Sequence, residues 1–235
     1  MKKSLTLLVA LFFPFLLFAQ LMDTTTVFYE NFDGSSIQTT TNYSSSFGGA
    51  NGDWQICNTL YKSAPNSYHT PVYATGGNSQ MYTAAIPVTS NDFTVNRIYL
   101  AFDHICKVSQ LDQTNIHYSL ATGVDADGNY IWTSWQSLNF GTDTAWYYGD
   151  GAGNKGTVTG GKFNHQSYTE WQSSNNSATP NNTWWKHEYF DLTSKVLRTA
   201  GVTHVRFRFQ DNKSSTTSSG TQACAGWYVD NIQII

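Results

Sequence analysis

Three carboxylates sit where an acid is costly. Glu30 and Asp33 bracket an aromatic in Tyr29-Glu30-Asn31-Phe32-Asp33-Gly34, and Asp230 stands inside Trp227-Tyr228-Val229-Asp230-Asn231-Ile232. A carboxylate in an apolar strand must be paired, metal-bound or hydrogen-bonded to offset its lost hydration. If the first and last strands lie side by side, the three can converge on one Ca²⁺, which takes oxygen ligands. The alternative is that each faces solvent or accepts backbone N–H bonds. Asp125-Ala126-Asp127-Gly128-Asn129 also spaces oxygen ligands by two. Its glycine stands fourth rather than sixth and no Glu follows at the required distance, so a hairpin turn with Asp-Gly at its tip is the simpler reading.

Catalytic signatures are missing from the sequence: there is no Gly-x-Ser-x-Gly, His-Glu-x-x-His or phosphate-cradling glycine loop. The six histidines (His69, His104, His117, His165, His187 and His204) are scattered. Asp103-His104 and His187-Glu188 are adjacent pairs, but neighbours on a strand point to opposite faces. Glycoside hydrolysis needs two carboxylates across a cleft, and the spacing of the acids does not single out such a pair. The chain therefore reads as non-catalytic. Aromatics cluster at Trp132, Trp135, Trp146, Tyr147 and Tyr148. Trp132 and Trp135 are expected on opposite faces of one strand, with Trp132 in core or edge packing. Trp146, Tyr147 and Tyr148, in a loop, are the candidates for stacking on a sugar ring.

The composition of these 235 residues narrows the setting. Charged residues make up 12% and aromatics 15%, with a formal charge of −3. Disordered chains are poor in aromatics and rich in charge, long helices need abundant Ala, Glu, Lys and Leu, and nucleic-acid binders need a basic footprint. None of these fits. Met1-Lys2-Lys3, an uncharged run from Leu5 to Phe18 and a small residue at Ala19 describe a signal peptide over residues 1–19. The run is too short to span a bilayer. Cleavage leaves residues 20–235 as one domain, exported to the medium or the cell surface, without a membrane span. Loss of Lys2 and Lys3 takes 13 basic residues to 11 against 16 acids, a charge of −5.

Of Cys57, Cys106 and Cys224, an odd count in an oxidising compartment leaves at least one thiol unpaired. If Leu100 to Cys106 runs antiparallel beside Trp227 to Ile235, Cys106 approaches Cys224. A Cys106–Cys224 bridge is then expected, with Cys57 a buried thiol.

The elements that must position these residues read as strands: 27–32, 97–106, 115–120, 130–138, 184–191, 204–209 and 227–235. In His204-Val205-Arg206-Phe207-Arg208-Phe209, the apolar residues face one way and the arginines the other. Thr193 to Thr199 is the one helical piece, capped by Thr193 or Ser194. Segments 35–51, 74–79, 149–161, 172–183 and 212–221 are rich in Gly, Ser, Thr and Asn and read as loops. No fixed-period repeat is visible. The pattern predicts an all-β, two-sheet antiparallel sandwich with Phe102, Val205, Phe207, Phe209, Trp227 and Val229 buried.

Five segments carry a family resemblance. Trp184-Trp185-Lys186-His187-Glu188-Tyr189-Phe190-Asp191-Leu192-Thr193, Val205 to Phe209 and Gly226-Trp227-Tyr228-Val229-Asp230-Asn231-Ile232 follow in order. Phe28-Tyr29-Glu30-Asn31-Phe32-Asp33 and Leu100-Ala101-Phe102-Asp103-His104 precede them. Together they resemble the jelly-roll modules related to MAM and cleaved-adhesin domains, in the concanavalin-like sandwich group. Such modules recur in large surface proteins exported by the type IX system of gliding bacteria. The resemblance implies a jelly roll and an adhesin-type role in surface attachment or gliding, with surface glycans or surface proteins as partners. It also implies a structural Ca²⁺ near the chain ends, with Glu30 and Asp33 in the opening motif and Asp230 in the closing one. An alternative is a carbohydrate-binding or accessory module of a secreted hydrolase, since the fold hosts several functions. Two departures stand out: the MAM cysteine pattern is not reproduced, and Ile235 falls in the final strand where a sorting domain is expected to follow. A longer gene product, or another export route, is the expectation.

Overall fold

The computed structural model describes residues 25–34, 38–45, 53–71, 77–88, 97–150, 153–158, 160–172, 179–212 and 225–235. The proposed signal peptide and Cys224 lie outside them. Fourteen strands are present among these residues. In chain order they are β1 (Phe28–Glu30), β2 (Thr39–Ser45), β3 (Gln55–Cys57), β4 (Ser67–Thr70), β5 (Gly77–Thr83), β6 (Ile86–Pro87) and β7 (Tyr99–Lys107). Then come β8 (Gln113–Val124), β9 (Tyr130–Trp132), β10 (Gln136–Ser137), β11 (Tyr147–Gly149), β12 (Lys186–Asp191), β13 (His204–Asn212) and β14 (Gly226–Ile234). One helical turn, α1 (Thr193–Val196), and a 3₁₀ turn over Thr169–Trp171 complete the set.

All strand pairings among the described residues are antiparallel and form two sheets. The first runs β11-β12-β7-β14-β4-β3, with β1 also on β14. The second runs β10-β8-β13-β5-β2, with β6 on β13 and β9 on β8. This is the expected two-sheet jelly-roll sandwich. The chain's two ends do meet: Phe28 lies opposite Ile234 and Glu30 opposite Ile232.

Period-two alternation explains the layering. In β13, Val205, Phe207 and Phe209 are fully buried, and the intervening arginines lie on the far face. From the first sheet Phe102 meets Phe209 edge-on at 5.1 Å, and Phe209 contacts Trp227 at 5.8 Å. All six residues expected in the core are buried. Each such side chain contributes about 1.5–3 kcal/mol of apolar burial.

Several local readings change. The 35–51 and 74–79 loops contain or overlap strands β2 and β5, which pair residue for residue from Thr39–Thr83 to Ser45–Gly77. The 130–138 strand is broken into β9 and β10. Helix α1 is not capped by its own Thr193: that hydroxyl accepts the Ile98 N–H at 3.1 Å, while Asp191 accepts the Thr193 N–H at 2.9 Å. Asp125 to Asn129 is the expected turn, closing the β8–β9 hairpin with Gly128 at φ +84°. Among the described residues, no helix is long and apolar enough to cross a membrane.

Candidate functional site

Strands β12 and β7 set the chemistry of the first sheet. Their register places His187 opposite Asp103 and Lys186 opposite His104. The two dipeptides Asp103-His104 and His187-Glu188 therefore run past each other, and the acid of each meets the histidine of the other. Alternation sends one pair to each face. His104 and Glu188, diagonal neighbours and fully buried, join at 2.9 Å between the sheets. Asp103 and His187 join at 3.3 Å on the outer face.

The inner pair belongs to a closed network. Glu188 accepts the hydroxyls of Tyr147 and Tyr168, each at 2.7 Å. Trp227 donates its indole N–H to His104 Nδ1 at 3.2 Å, so the other ring nitrogen, Nε2, is left to donate to Glu188. Burial first, and the Glu188 charge second, hold both tyrosine hydroxyls far above their ordinary pKa. They stay protonated and act as donors. Completely satisfied buried networks of this kind fix geometry.

The outer pair borders an aromatic surface. Tyr99 and Tyr189 stack at 5.0 Å with 23° between planes, and Tyr148 lies 6.1 Å from Tyr189. With His187 they line an open hollow of about 410 Å³. Tyr148 is 41% exposed. Cross-strand neighbours on one face produce this row: Tyr189 lies opposite Ala101, and Tyr99 opposite Asp191. A polar rim continues across the sheet. Asn231 donates to Asp103 at 3.0 Å, and the Tyr29 hydroxyl donates to Asn231 at 2.7 Å. Arg97 donates to the Tyr99 hydroxyl at 3.2 Å at the other end. Burial, then Tyr99, Asp191 and Tyr148, push the Tyr189 hydroxyl up. The rim thus offers neutral hydroxyls, an imidazole and a guanidinium around exposed rings, which is the mix that binds a polar ligand with apolar faces.

The expected ligand residues separate under this geometry. Because β11 is a strand, Tyr147 turns inward to Glu188 and is fully buried, whereas Tyr148 turns outward into the hollow. Trp146 packs on Phe140 and Phe190, with the Lys195 ammonium 4.4 Å above its ring. Of the three, only Tyr148 joins the platform. Tyr99, Tyr189 and His187 were not singled out as ligand residues. The signal was present in the reversed Asp-His and His-Glu dipeptides, which fix the β7–β12 register. Trp132 takes the edge rather than the core, and the opposite-face expectation fails: the break after β9 brings Trp132 and Trp135 to the same outer face of the second sheet, over Arg206.

The three carboxylates of the Ca²⁺ expectation are engaged separately. Glu30, buried, accepts the Phe32 N–H at 2.8 Å and the Gln38 N–H. Asp33 accepts the Asn66 N–H at 3.0 Å and the Asn31 side-chain amide at 2.7 Å. Asp230, fully buried, accepts four donors: the N–H groups of Lys62, Ser63 and Asn231 and the Ser63 hydroxyl. Four donors occupy every lone-pair site of a carboxylate. Burial nevertheless outweighs those bonds and raises its pKa to about 6. A shared ion would have to displace backbone donors from Asp230, so this set does not fit one Ca²⁺. Among the described residues, no group of three His, Cys, Asp or Glu side chains is placed to hold a metal. Cys106 is buried and lies opposite Trp227. The Cys106–Cys224 pairing rests on a residue outside the described ones, and Cys57 is half-buried rather than buried.

No family model matches the chain, and no curated protein matches it. Solved structures do resemble it. The K1 cleaved adhesin domain of Lys-gingipain from Porphyromonas gingivalis W83 is 16% identical, with a TM-score of 0.40 over 90% of this chain and 98% of that one. A xylan-binding domain from CBM 22 is 11% identical, with a TM-score of 0.39 over 90% and 95%. The enzymatically active domain of bacteriophage CBA120 tailspike protein 4 is 11% identical, with a TM-score of 0.40 over 84% of this chain; the chain spans 19% of that domain's length.

Proposed function

We propose that this protein is a non-catalytic extracellular binding module that attaches to a glycan through the tyrosine face of its first sheet. One observation carries the reading: Tyr99, Tyr148 and Tyr189 surround an open hollow whose edge holds hydrogen-bonding groups already aligned by the Asp103–His187 and Asp103–Asn231 contacts. Exposed rings give a sugar's C–H face an apolar bed, and the rim gives its hydroxyls partners. A rigid sheet, not a mobile loop, fixes both. The reading takes residues 1–19 as an export signal and the module as extracellular, which supports an adhesin-type role in surface attachment. The same platform equally serves a carbohydrate-binding module carried by a secreted hydrolase.

Affinity electrophoresis against neutral polysaccharides tests the reading. Tyr189→Ala should abolish retardation and Tyr148→Ala should weaken binding at least tenfold, about 1.4 kcal/mol, with melting unchanged for the exposed Tyr148. Binding that survives both substitutions would move the ligand elsewhere.

A further inference from the structure

The outer face of the second sheet holds a stack of unlike character. Along β13, His204, Arg206, Arg208 and Gln210 share the face away from the core. The Arg206 guanidinium lies 4.1 Å from the Trp132 ring centroid and 4.7 Å from that of Trp135. Arg208 lies 4.8 Å from the other side of the same row, at Trp135, and Tyr82 contacts Trp135 at 5.7 Å. The ladder thus reads Trp132, Arg206, Trp135, Arg208. None of these four residues is fully buried.

What the stack lacks is an anion. The ion pairs among the described residues involve His104, Lys186 and His187, not these arginines. The Nε atoms of Arg206 and Arg208 are enclosed without a hydrogen-bond acceptor. Burial pushes the pKa of both guanidiniums down against the opposing pull of Tyr82, which also hydrogen-bonds Arg208, and Arg208 adds repulsion on Arg206; no described carboxylate contributes to either. His117, opposite Arg208 in the ladder, is pushed down to about 4 by burial and then by the Arg208 charge. It stays neutral and adds no third charge. Two like charges held side by side without a counter-ion raise the local potential on a protein whose net charge is −3.

We infer that this face is a second binding site, selective for a carboxylate-bearing polysaccharide such as a polyuronate. The guanidinium edges match carboxylates bidentately, while the rings of Trp132, Trp135 and Tyr82, where the arginines do not cover them, give the sugar rings apolar contact. Two positive charges are too few for nucleic acid, whose affinity is built from many phosphate contacts. The three neighbouring aromatic side chains likewise favour a ring-bearing polymer over an acidic peptide. The inference stands apart from the tyrosine platform, which lies on the other sheet, where the Asp103 carboxylate faces His187.

Polygalacturonate and its fully methyl-esterified form separate the cases, with binding followed by calorimetry at two salt concentrations. Wild-type protein should bind polygalacturonate, lose at least tenfold affinity on esterification, and weaken as salt rises. Arg208→Gln and Arg206→Gln should each lose at least tenfold, whereas Tyr189→Ala should leave this binding intact. Should the glutamine variants unfold, Arg208→Lys keeps the charge but not the fork, and should lose several-fold at an unchanged melting temperature. Equal affinity for the two polymers, wild-type affinity in the arginine variants, or arginine-dependent binding to anionic phospholipid vesicles without binding to polygalacturonate would each overturn the assignment. Loss of neutral-glycan binding alone would strike the tyrosine platform and leave this site standing.

Discussion

Replacing Glu188 by Gln is a shape-conserving change with a cost that can be worked out from its three partners. One carboxylate oxygen accepts from His104 Nε2 and the Tyr168 hydroxyl, and the other from the Tyr147 hydroxyl. An amide keeps one acceptor oxygen and presents an NH₂ in place of the second. Whichever way it is placed, a donor meets a donor. If the NH₂ faces Tyr147, that hydroxyl must turn away, although it also accepts the Gly156 N–H at 3.3 Å. Hydrogen bonds to a charged acceptor are worth about 1.5–3 kcal/mol, and a stranded buried donor costs about 1–3 kcal/mol. The charge on Glu188 is itself buried, so losing it recovers part of its desolvation cost. The expected net destabilisation is about 2–4 kcal/mol. Urea denaturation at neutral pH reads it as a fall in midpoint at constant slope. Tyr147→Phe removes the clashing donor in advance, so in that background Glu188→Gln should cost about 1–2 kcal/mol less. A cost below about 0.5 kcal/mol, or strict additivity of the two changes, would refute the network. Because β11 carries Tyr147 inward and Tyr148 outward, Glu188→Gln should also weaken ligand binding at the tyrosine hollow without touching it.

Three further outcomes follow from single positions. Gly226 has φ +98°, and a Cβ there would lie 2.2 Å from the Thr70 carbonyl oxygen, so Gly226→Ala should lower the melting temperature by many degrees or prevent folding. His117 has a folded pKa near 4 against an ordinary 6.5. The unfolded chain therefore takes up the proton first, and stability should fall as pH drops from about 6.5 to 4. Solvent screening of this half-exposed ring reduces the loss to about 1–2 kcal/mol, and His117→Gln should flatten the slope. Since Asp230 is saturated by four donors, melting should be the same in chelator and in Ca²⁺, and Asp230→Asn should cost about 1–3 kcal/mol in both. A Ca²⁺-dependent rise abolished in that variant would return the three carboxylates to a metal site.

What could be read from the sequence was whatever alternates. The β13 segment declares its two faces because Val, Phe and Phe interleave with Arg, and period two is a strong signal when one face is buried. Strand β2 and the start of β5, Gly77 to Ser79, read as loop for the opposite reason. Apart from Tyr43, Met81 and Tyr82, Thr39 to Ser45 and Gly77 to Thr83 are built from Thr, Ser, Asn, Gly and Gln, a composition weak in strand formers and rich in residues that favour turns in isolation. Pairing across seven consecutive positions overrides that preference. The site was legible only in part, because side-chain direction depends on where a strand breaks. Tyr147 and Tyr148 exchange roles once residues 147–149 pair with β12, and Trp132 and Trp135 reach one face only because β9 ends between them. The core acids were legible as an alternative: Glu30, Asp33 and Asp230 accept backbone N–H bonds, which was the second reading from the start.

The two outer faces make electrically different offers, and this has a consequence that neither face has alone. On the first sheet, His187 is paired with Asp103, Asp103 with Asn231, and Asn231 with Tyr29, leaving the single Arg97 guanidinium at one end, bonded to the Tyr99 hydroxyl. Binding there depends mainly on ring stacking and hydrogen bonds, which salt screens less. On the second sheet Arg206 and Arg208 have no carboxylate partner among the described residues, so binding there must fade as the Debye length shrinks from about 10 Å at 0.1 M toward 3 Å at 1 M. A polymer bearing both neutral and acidic stretches would therefore be held by both faces at low salt and by the tyrosine face alone at high salt. Attachment through two weak faces multiplies only if one polymer reaches both; otherwise the module cross-links separate chains. The sandwich favours the second outcome, since its core keeps the faces on opposite sides.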